Sequence, residues 1–299
     1  MTTDQNIVVV GAGLMGRGIA HAFVTAGCAV TLVDVSEAAL AAAAEAVRAI
    51  LADGVRLGKL QEADATAAIG RLATGGDLAA AFAGRPVDLV LETASESLAT
   101  KLAIVRESDR LLPPHGVIAT NTSALSVTEI AAATGRPDRV IGMHFFNPVH
   151  KMKLLEIVRG VATSEETIAR ARAWGEAIGK TSILVNEAPG LTTSRMSALM
   201  GNEAMYMLQE GVASAEDIDT ALRLGFNHPM GPLELGDLTG WDTRLAVLEY
   251  LHATLGDRFR PCPLIRKLVK AGRTGRKAGT GVYEYVEGKR VPGSGVSFR

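Results

Sequence analysis

Polar residues gather at the ends of apolar strands in the middle of the chain. Asn121, Thr122 and Ser123 follow VIAT, His144 and Asn147 follow VIGM, and Glu156 lies within KLLEIV. An imidazole, with an ordinary pKa of about 6.5, suits proton transfer to or from an alcohol at neutral pH. A glutamate on one ring nitrogen fixes the tautomer and stabilises the imidazolium, which leaves the other nitrogen for a substrate. A serine hydroxyl can donate to the reacting oxygen. Ser123, His144 and Glu156 together suit oxidation of a secondary alcohol by hydride transfer, or the reverse reduction. Each also has a plainer reading: His144 as a hydrogen-bonded structural residue, Glu156 on a solvated edge, Ser123 as a turn cap.

Hydride transfer needs a carrier, and the N-terminus supplies a seat for one. The run VVVGAGLMGRG places Gly11, Gly13 and Gly16 between a β-branched strand and an apolar-periodic helix, with Leu14 and Met15 inside the loop. The first glycine permits a tight turn, the second lets backbone approach a pyrophosphate, and the third allows close helix–strand packing. Asp34 closes the next strand about 20 residues on, where a carboxylate accepts hydrogen bonds from a ribose 2′-hydroxyl and repels a 2′-phosphate. These residues predict NAD in preference to NADP. Ligands of open α/β sheets bind at the carboxyl ends of the strands, so Asn121, Ser123 and His144 are expected to face the nicotinamide.

Alternating strands and helices must position these groups. Strands are expected at Ile7–Val10, Ala29–Val33, Leu89–Leu91, Val117–Thr120, Val140–His144, Leu154–Val158 and Ile183–Val185, which reads as a doubly wound α/β fold with a mainly parallel sheet. A long helical excursion from Ser36 through Glu62 to about Ala68, broken at Asp53-Gly54 and Gly58, reads as a hairpin projecting from the sheet. Ser126 with Glu129, and Ser214 with Asp217, resemble capping boxes. Strand signals stop after Glu187-Ala188-Pro189-Gly190, so residues 188–299 are expected to form an all-α domain following a dinucleotide-binding domain at 1–187. In its helix at Met196–Gln209, Leu199, Met200, Met207 and Leu208 are read as a core stripe. The tail from Val286 lacks periodicity and is expected to be loosely ordered.

Other chemistry is excluded on spacing. Gly175–Thr181, GEAIGKT, is one residue short of a phosphate loop and follows a helix. No GxSxG elbow surrounds Ser123, which argues against a hydrolase triad. His21, His115, His228 and His252 have no such constellation and are read as structural, while His150 could line the cleft. Lys and Arg total 31 against 32 Asp and Glu, a net charge of −1, so no bulk basic field invites nucleic acid or an anionic membrane. Cys28 and Cys262 show no metal-ligand or disulfide spacing, and no targeting or transmembrane segment is evident; a cytoplasmic protein without a metal is expected.

In VVVGAGLMGRGIA, TNTSALSVTEI, RPDRVIGMHFFNPVHKMKLLEIVRG, EAPGLTTSR, NHPMGPLELGDLTGWD and GRKAGTGVYEY the chain resembles the L-3-hydroxyacyl-CoA dehydrogenase family, in particular its bacterial 3-hydroxybutyryl-CoA branch. The likeness runs from Asn6 to about Tyr285. It implies a Rossmann-type domain, NAD as cofactor, an acyl-CoA substrate and a homodimer formed through the helical domain. It implies His144 as catalytic base, Glu156 as its partner, Ser123 as the hydroxyl-binding residue and Asn147 near the thioester. Glu92, Glu96 and Lys101, with Asn121, fall where the family contacts or borders the cofactor, and Lys59 on the hairpin where a lysine pairs with coenzyme A phosphates. One departure stands out. The family's usual Phe-Val-x-Asn-Arg is here Leu191, Thr192, Thr193, Ser194, Arg195, so a hydroxyl at Ser194 replaces an active-site amide. His150-Lys151 replaces the more usual Pro and apolar residue, adding charge to the acyl-CoA channel. The expected reaction is interconversion of a short-chain L-3-hydroxyacyl-CoA and its 3-oxoacyl-CoA. The alternatives are a dehydrogenase of a free 3-hydroxy acid, or an NAD-binding sensor or structural dimer with weakened catalysis, which only Ser194 favours.

Overall fold

The computed structural model describes residues 5–297. The chain forms two compact units, one ending at Glu187 and the other beginning at Ala188.

In the first unit β1 (Asn6–Val10), α1 (Leu14–Thr25) and β2 (Ala29–Val33) are followed by α2 (Glu37–Arg56), α3 (Glu62–Ile69), β3 (Leu72–Gly75) and α4 (Leu78–Ala81). Then come β4 (Leu89–Glu92), α5 (Leu98–Leu111), β5 (Val117–Thr120), α6 (Val127–Ala132), β6 (Val140–Phe145), β7 (Leu154–Arg159), α7 (Glu165–Ala177) and β8 (Thr181–Asn186). The eight strands lie in the order β3-β2-β1-β4-β5-β6-β7-β8, and only the β6–β7 pairing is antiparallel. Side chains alternate across a strand, and β1 shows the result. Ile7 and Val9 join one apolar cluster with Ile19 and Phe23 of α1, Val47 of α2 and Trp174 of α7. Val8 and Val10 join another with Leu78 of α4, Val105 of α5 and Ile130 of α6. Both faces are therefore covered by helices, which is why the strands read as continuous apolar runs. Ser126 caps α6 by accepting from the Glu129 N–H at 3.0 Å.

The helical excursion departs from expectation in two ways. Helix α2 runs unbroken through Asp53-Gly54 to Arg56, because an interior glycine costs only about 1 kcal/mol against alanine. The stop comes at Gly58, at φ +66°, where Gly58 N–H donates to Val55 O (2.9 Å) and Lys59 N–H to Gly54 O (2.9 Å), a Schellman closure. Nor does the whole hairpin project. Leu40, Ala43, Val47 and Leu51 of α2 and Ala68 of α3 are buried in the α1 cluster, and the exposed portion is the distal turn around Leu57, Gly58 and Lys59. β3 went unread because it is a half-exposed edge strand of sequence LATG, with Leu72 its one large apolar residue.

The second unit comprises α8 (Thr193–Glu210), α9 (Ala215–Gly225), α10 (Pro232–Thr239), α11 (Trp241–Leu255) and α12 (Pro263–Lys270), with a small ribbon of β9 (Tyr285–Val286) and β10 (Lys289–Arg290). Its core includes Met205, Leu208, Trp241, Leu248, Phe259, Ile265 and Tyr283. The buried residues of α8 are Ala198, Gly201, Asn202, Ala204, Met205 and Leu208; of the expected stripe only Leu208 is buried, while Leu199 and Met207 are partly buried against the same core. Small residues under-score in an apolar pattern, and that shifted the reading. The tail is tied down as well: Val296 N–H donates to Val282 O (2.9 Å) and Gly295 N–H to a Glu216 carboxylate oxygen (2.8 Å). Backbone bonds, not periodicity, hold it. Asp237 anchors the GTGVYEY segment through the N–H groups of Val282 (2.8 Å) and Tyr283 (2.9 Å), and a Cβ on Gly281 would fall 2.0 Å from its Oδ1.

Candidate active site

The β1–α1 turn has no room for side chains where backbone must close and is open where a ligand would enter. Gly11 sits at φ +106°, and a Cβ there would meet the Thr93 backbone at 2.8 Å. One on Gly16 would fall 1.7 Å from Gly11 O. Gly13 differs, since a Cβ there would meet nothing within 4 Å. Gly13 is also the N-cap of α1 and supplies no side-chain cap, so the first-turn N–H groups of Leu14, Met15 and Gly16 present the positive end of the helix dipole to that opening. Asp34 accepts from Ala12 N–H at 2.8 Å through one oxygen and from Ser36 N–H at 2.9 Å through the other. It thereby locks the turn while its remaining lone pairs stay available to a ribose. An open glycine cradle, an uncapped helix start and a partly exposed carboxylate fit a dinucleotide.

At the carboxyl end of β4 the structure builds a charged network. Lys101 of α5 and Glu92 of β4 are both fully buried, with Lys101 Nζ 2.9 Å from each Glu92 oxygen. Glu92 also accepts from Thr120 Oγ1 at 2.7 Å and from Ala94 N–H at 2.7 Å. Removing one member of such a pair strands the other and costs about 3–5 kcal/mol. Lys101 further lies 3.4 Å from Glu96, whose other oxygen accepts from Thr122 Oγ1 and from the N–H groups of Ser123 (3.1 Å) and Ala124 (3.3 Å). The buried pair thus reaches the Ser123 loop through Glu96, and the Ser123 side chain stands exposed at its tip.

On β6, His144 is in register with Glu156 of β7, and its Nδ1 lies 2.7 Å from a Glu156 carboxylate oxygen. Glu156 is completely buried and His144 nearly so. Glu156 does not sit on a solvated edge, because β8 covers β7. A carboxylate on Nδ1 favours the tautomer with hydrogen there, which makes Nε2 the proton acceptor. The ring of Phe146 packs against His144 at 4.7 Å between centroids. Asn121 Oδ1 accepts the Phe145 N–H at 2.8 Å, which ties the end of β5 to the end of β6 beside the histidine. Asn147 follows on the exposed loop. Phe146 was not singled out from sequence; HFFNP contained the signal, but only the fold shows that its second aromatic packs against the imidazole, with the ring planes at 55°.

Lys59 is exposed on the α2–α3 turn. Ser194 lies in the second unit, half-buried in the first turn of α8. It is reached through two consecutive left-handed residues, Gly190 (φ +74°) and Leu191 (φ +48°); a non-glycine residue in that region is uncommon and marks a constrained turn. Among the described residues no group of three or more histidine, cysteine, aspartate or glutamate side chains is placed to hold a metal. No helix among them is long and apolar enough to cross a membrane.

A glycine cradle at the β1–α1 turn of a doubly wound sheet, whose β6 and β7 carry a buried histidine–glutamate pair, fits the class of nucleotide-dependent dehydrogenases. Family models agree: the NAD binding domain of 3-hydroxyacyl-CoA dehydrogenase matches residues 6–188, and its C-terminal domain matches residues 190–285. The chain is 47% identical over 284 residues to a probable 3-hydroxybutyryl-CoA dehydrogenase of Bacillus subtilis (strain 168), covering 95% of this chain and 98% of that one. It is 41% identical over 292 residues to 3-hydroxybutyryl-CoA dehydrogenase of Bradyrhizobium diazoefficiens, covering 96% and 98%. Among solved structures it matches (S)-3-hydroxybutyryl-CoA dehydrogenase PaaH1 from Ralstonia eutropha with a TM-score of 0.90 and 42% identity, over 95% of this chain and 99% of that one. The chain belongs to the 3-hydroxyacyl-CoA dehydrogenase family, an NAD-dependent oxidoreductase.

Proposed function

We propose that the protein interconverts a short-chain L-3-hydroxyacyl-CoA and the corresponding 3-oxoacyl-CoA, with His144 and Glu156 as its proton-transfer pair. The observation that carries this reading is the 2.7 Å contact between His144 Nδ1 and the buried Glu156 carboxylate. NAD supplies or accepts the hydride at C3 when bound. In the oxidation His144 Nε2 takes the hydroxyl proton, and Glu156 stabilises the imidazolium that results. In the reduction the imidazolium returns that proton to the new alkoxide oxygen. Ser123 donates a hydrogen bond to the same oxygen and holds it toward the imidazole, while Glu96 fixes the Ser123 backbone. Asn147 borders the thioester, and the hydroxyl of Ser194 in the first turn of α8 is a candidate donor tested by substitution. Lys59 pairs with coenzyme A phosphates.

The names of the relatives support the four-carbon substrate. We read the working form as a cytoplasmic homodimer joined through the helical unit. Exposed Met196, Leu224, Phe226 and Leu238 there support an interface, and Cys28 and Cys262, both free and buried, are in keeping with a reducing compartment. The test is oxidation of NADH with acetoacetyl-CoA beside free acetoacetate. Turnover confined to the thioester supports the reading; equal turnover of the free acid moves the protein to the hydroxy-acid alternative.

A further inference from the structure

Ser123 stands on a connection that apolar packing does not hold. Between β5 and α6, residues 121–126 form neither helix nor strand, and Ser123 and Ala124 are exposed. Thr122 is the one buried residue of the six. A threonine hydroxyl brings one hydrogen and two lone pairs, and Thr122 uses all of them. Its Oγ1 donates to a Glu96 carboxylate oxygen and accepts from the N–H groups of Leu125 (2.9 Å) and Ala124 (3.3 Å). The same Glu96 oxygen accepts the Ser123 N–H at 3.1 Å and shares that of Ala124 at 3.3 Å. Successive N–H groups of Ser123, Ala124 and Leu125 therefore converge on one carboxylate oxygen and one hydroxyl.

That carboxylate is itself held from below. Lys101 Nζ lies 3.4 Å from the other Glu96 oxygen and 2.9 Å from each oxygen of Glu92, so two carboxylates share one buried ammonium. Glu92 also accepts from Thr120 Oγ1 at 2.7 Å, and its backbone carbonyl accepts the Asn121 N–H at 2.8 Å. Ions buried in this way resist displacement, because each movement leaves a charge unpaired. An exposed loop has no such restraint of its own. The Thr122 hydroxyl joins the two: without it the Leu125 N–H loses its side-chain acceptor, and Glu96 loses a donor.

We infer that Thr122 is a positioning residue for the proposed reaction: its hydroxyl carries the fixed position of the Glu96 carboxylate to the turn that presents Ser123 to the substrate oxygen. Thr122 acts through Ser123 and does not itself meet the substrate. The inference rests on the reading of Ser123 as the group that binds that oxygen. A group displaced by about 1 Å can cost a reaction about a hundredfold, and a turn that is loosened rather than lost should cost about tenfold, in kcat rather than in substrate binding.

The test is a double-mutant cycle on oxidation of NADH with acetoacetyl-CoA, using the parent, T122V, S123A and the double variant, with T122S as the conservative control. NADH affinity and thermal melting are measured on each, and T122A repeats the loss of the hydroxyl without adding a methyl group. The expected result is a kcat about tenfold lower in T122V, with NADH affinity and the KM for acetoacetyl-CoA within about twofold of the parent, and T122S close to the parent. In the S123A background T122V should cost little more, because both changes act on one contact. Amide hydrogen exchange over residues 121–126 should be faster in T122V and unchanged in T122S. A parent-like kcat in T122V, an equal loss in T122S, a parallel loss of NADH affinity, or losses that add in the double variant would each overturn the inference. S123A at the parent's rate would instead remove Ser123 from the reaction, and with it the functional role of Thr122, even where exchange shows that the hydroxyl holds the turn.

Discussion

His144 and Glu156 face each other across the one antiparallel pairing in the eight-stranded sheet, in direct register, with Nδ1 2.7 Å from the carboxylate. Reversal of strand direction at this pairing sets the end of β6, where ligands of such sheets bind, against the early part of β7. A carboxylate buried within a strand is thereby brought to the imidazole.

Glu156→Gln keeps an acceptor oxygen on the imidazole but removes the charge that stabilises the imidazolium. The expected result is a fall in kcat of at least about tenfold with the KM for acyl-CoA changed far less, read by steady-state kinetics. A fall in kcat/KM through KM alone would assign Glu156 to substrate binding.

Asp34 ties its carboxylate to the N–H groups of Ala12 and Ser36, so a 2′-phosphate would meet a fixed negative charge. NADH is expected to bind at least about tenfold more tightly than NADPH, measured by fluorescence titration, and Asp34→Ser is expected to narrow that ratio. Comparable affinities in the parent would contradict the assignment.

Ser194 carries a hydroxyl in the first turn of α8, and substitution tests its proposed part in the reaction. Ser194→Ala is expected to lower kcat/KM about tenfold and Ser194→Asn to stay within a few-fold of the parent. If both variants match the parent, Ser194 takes no part in the reaction.

His21 gives the fold a pH dependence whose sign is fixed. Burial, His150 and Lys180 lower it from 6.5 to about 4, so between those values the unfolded chain binds a proton that the folded one does not. Stability therefore rises with pH across that window and is lost as pH falls through it, by up to about 3 kcal/mol from this group. Urea unfolding of the parent at pH 5 and pH 7 should show the loss, and His21→Gln should reduce the difference between the two. An unchanged difference in the variant would place the pH sensitivity elsewhere.

The glycine turn and its carboxylate were legible because their spacing is local: Gly11, Gly13, Gly16 and Asp34 each answer a backbone or ribose requirement within one βαβ unit. Residue type and position at strand ends also marked His144, Ser123 and Glu156. The contact of Glu156 with one imidazole nitrogen was expected from the residue types; the direct register of an antiparallel β6–β7 pairing that makes it was not, since it follows from strand pairing rather than from spacing. The Glu92–Lys101 pair was invisible for the same reason: a strand-end acid and a lysine on the next helix show no periodic relation until the sheet sets them face to face. Elements held by backbone bonds rather than apolar patterning, such as β3 and the tail after Val286, left the weakest trace.

The proposed reaction requires His144 to move the proton while the hydride moves at C3. Steady-state oxidation of NADH with acetoacetyl-CoA by the parent and His144→Ala, with NADH binding measured alongside, tests it most directly. A kcat lowered about a hundredfold to ten-thousandfold with NADH affinity intact is expected; turnover close to the parent's in a variant that binds NADH normally would rule out His144 as the proton-transfer group.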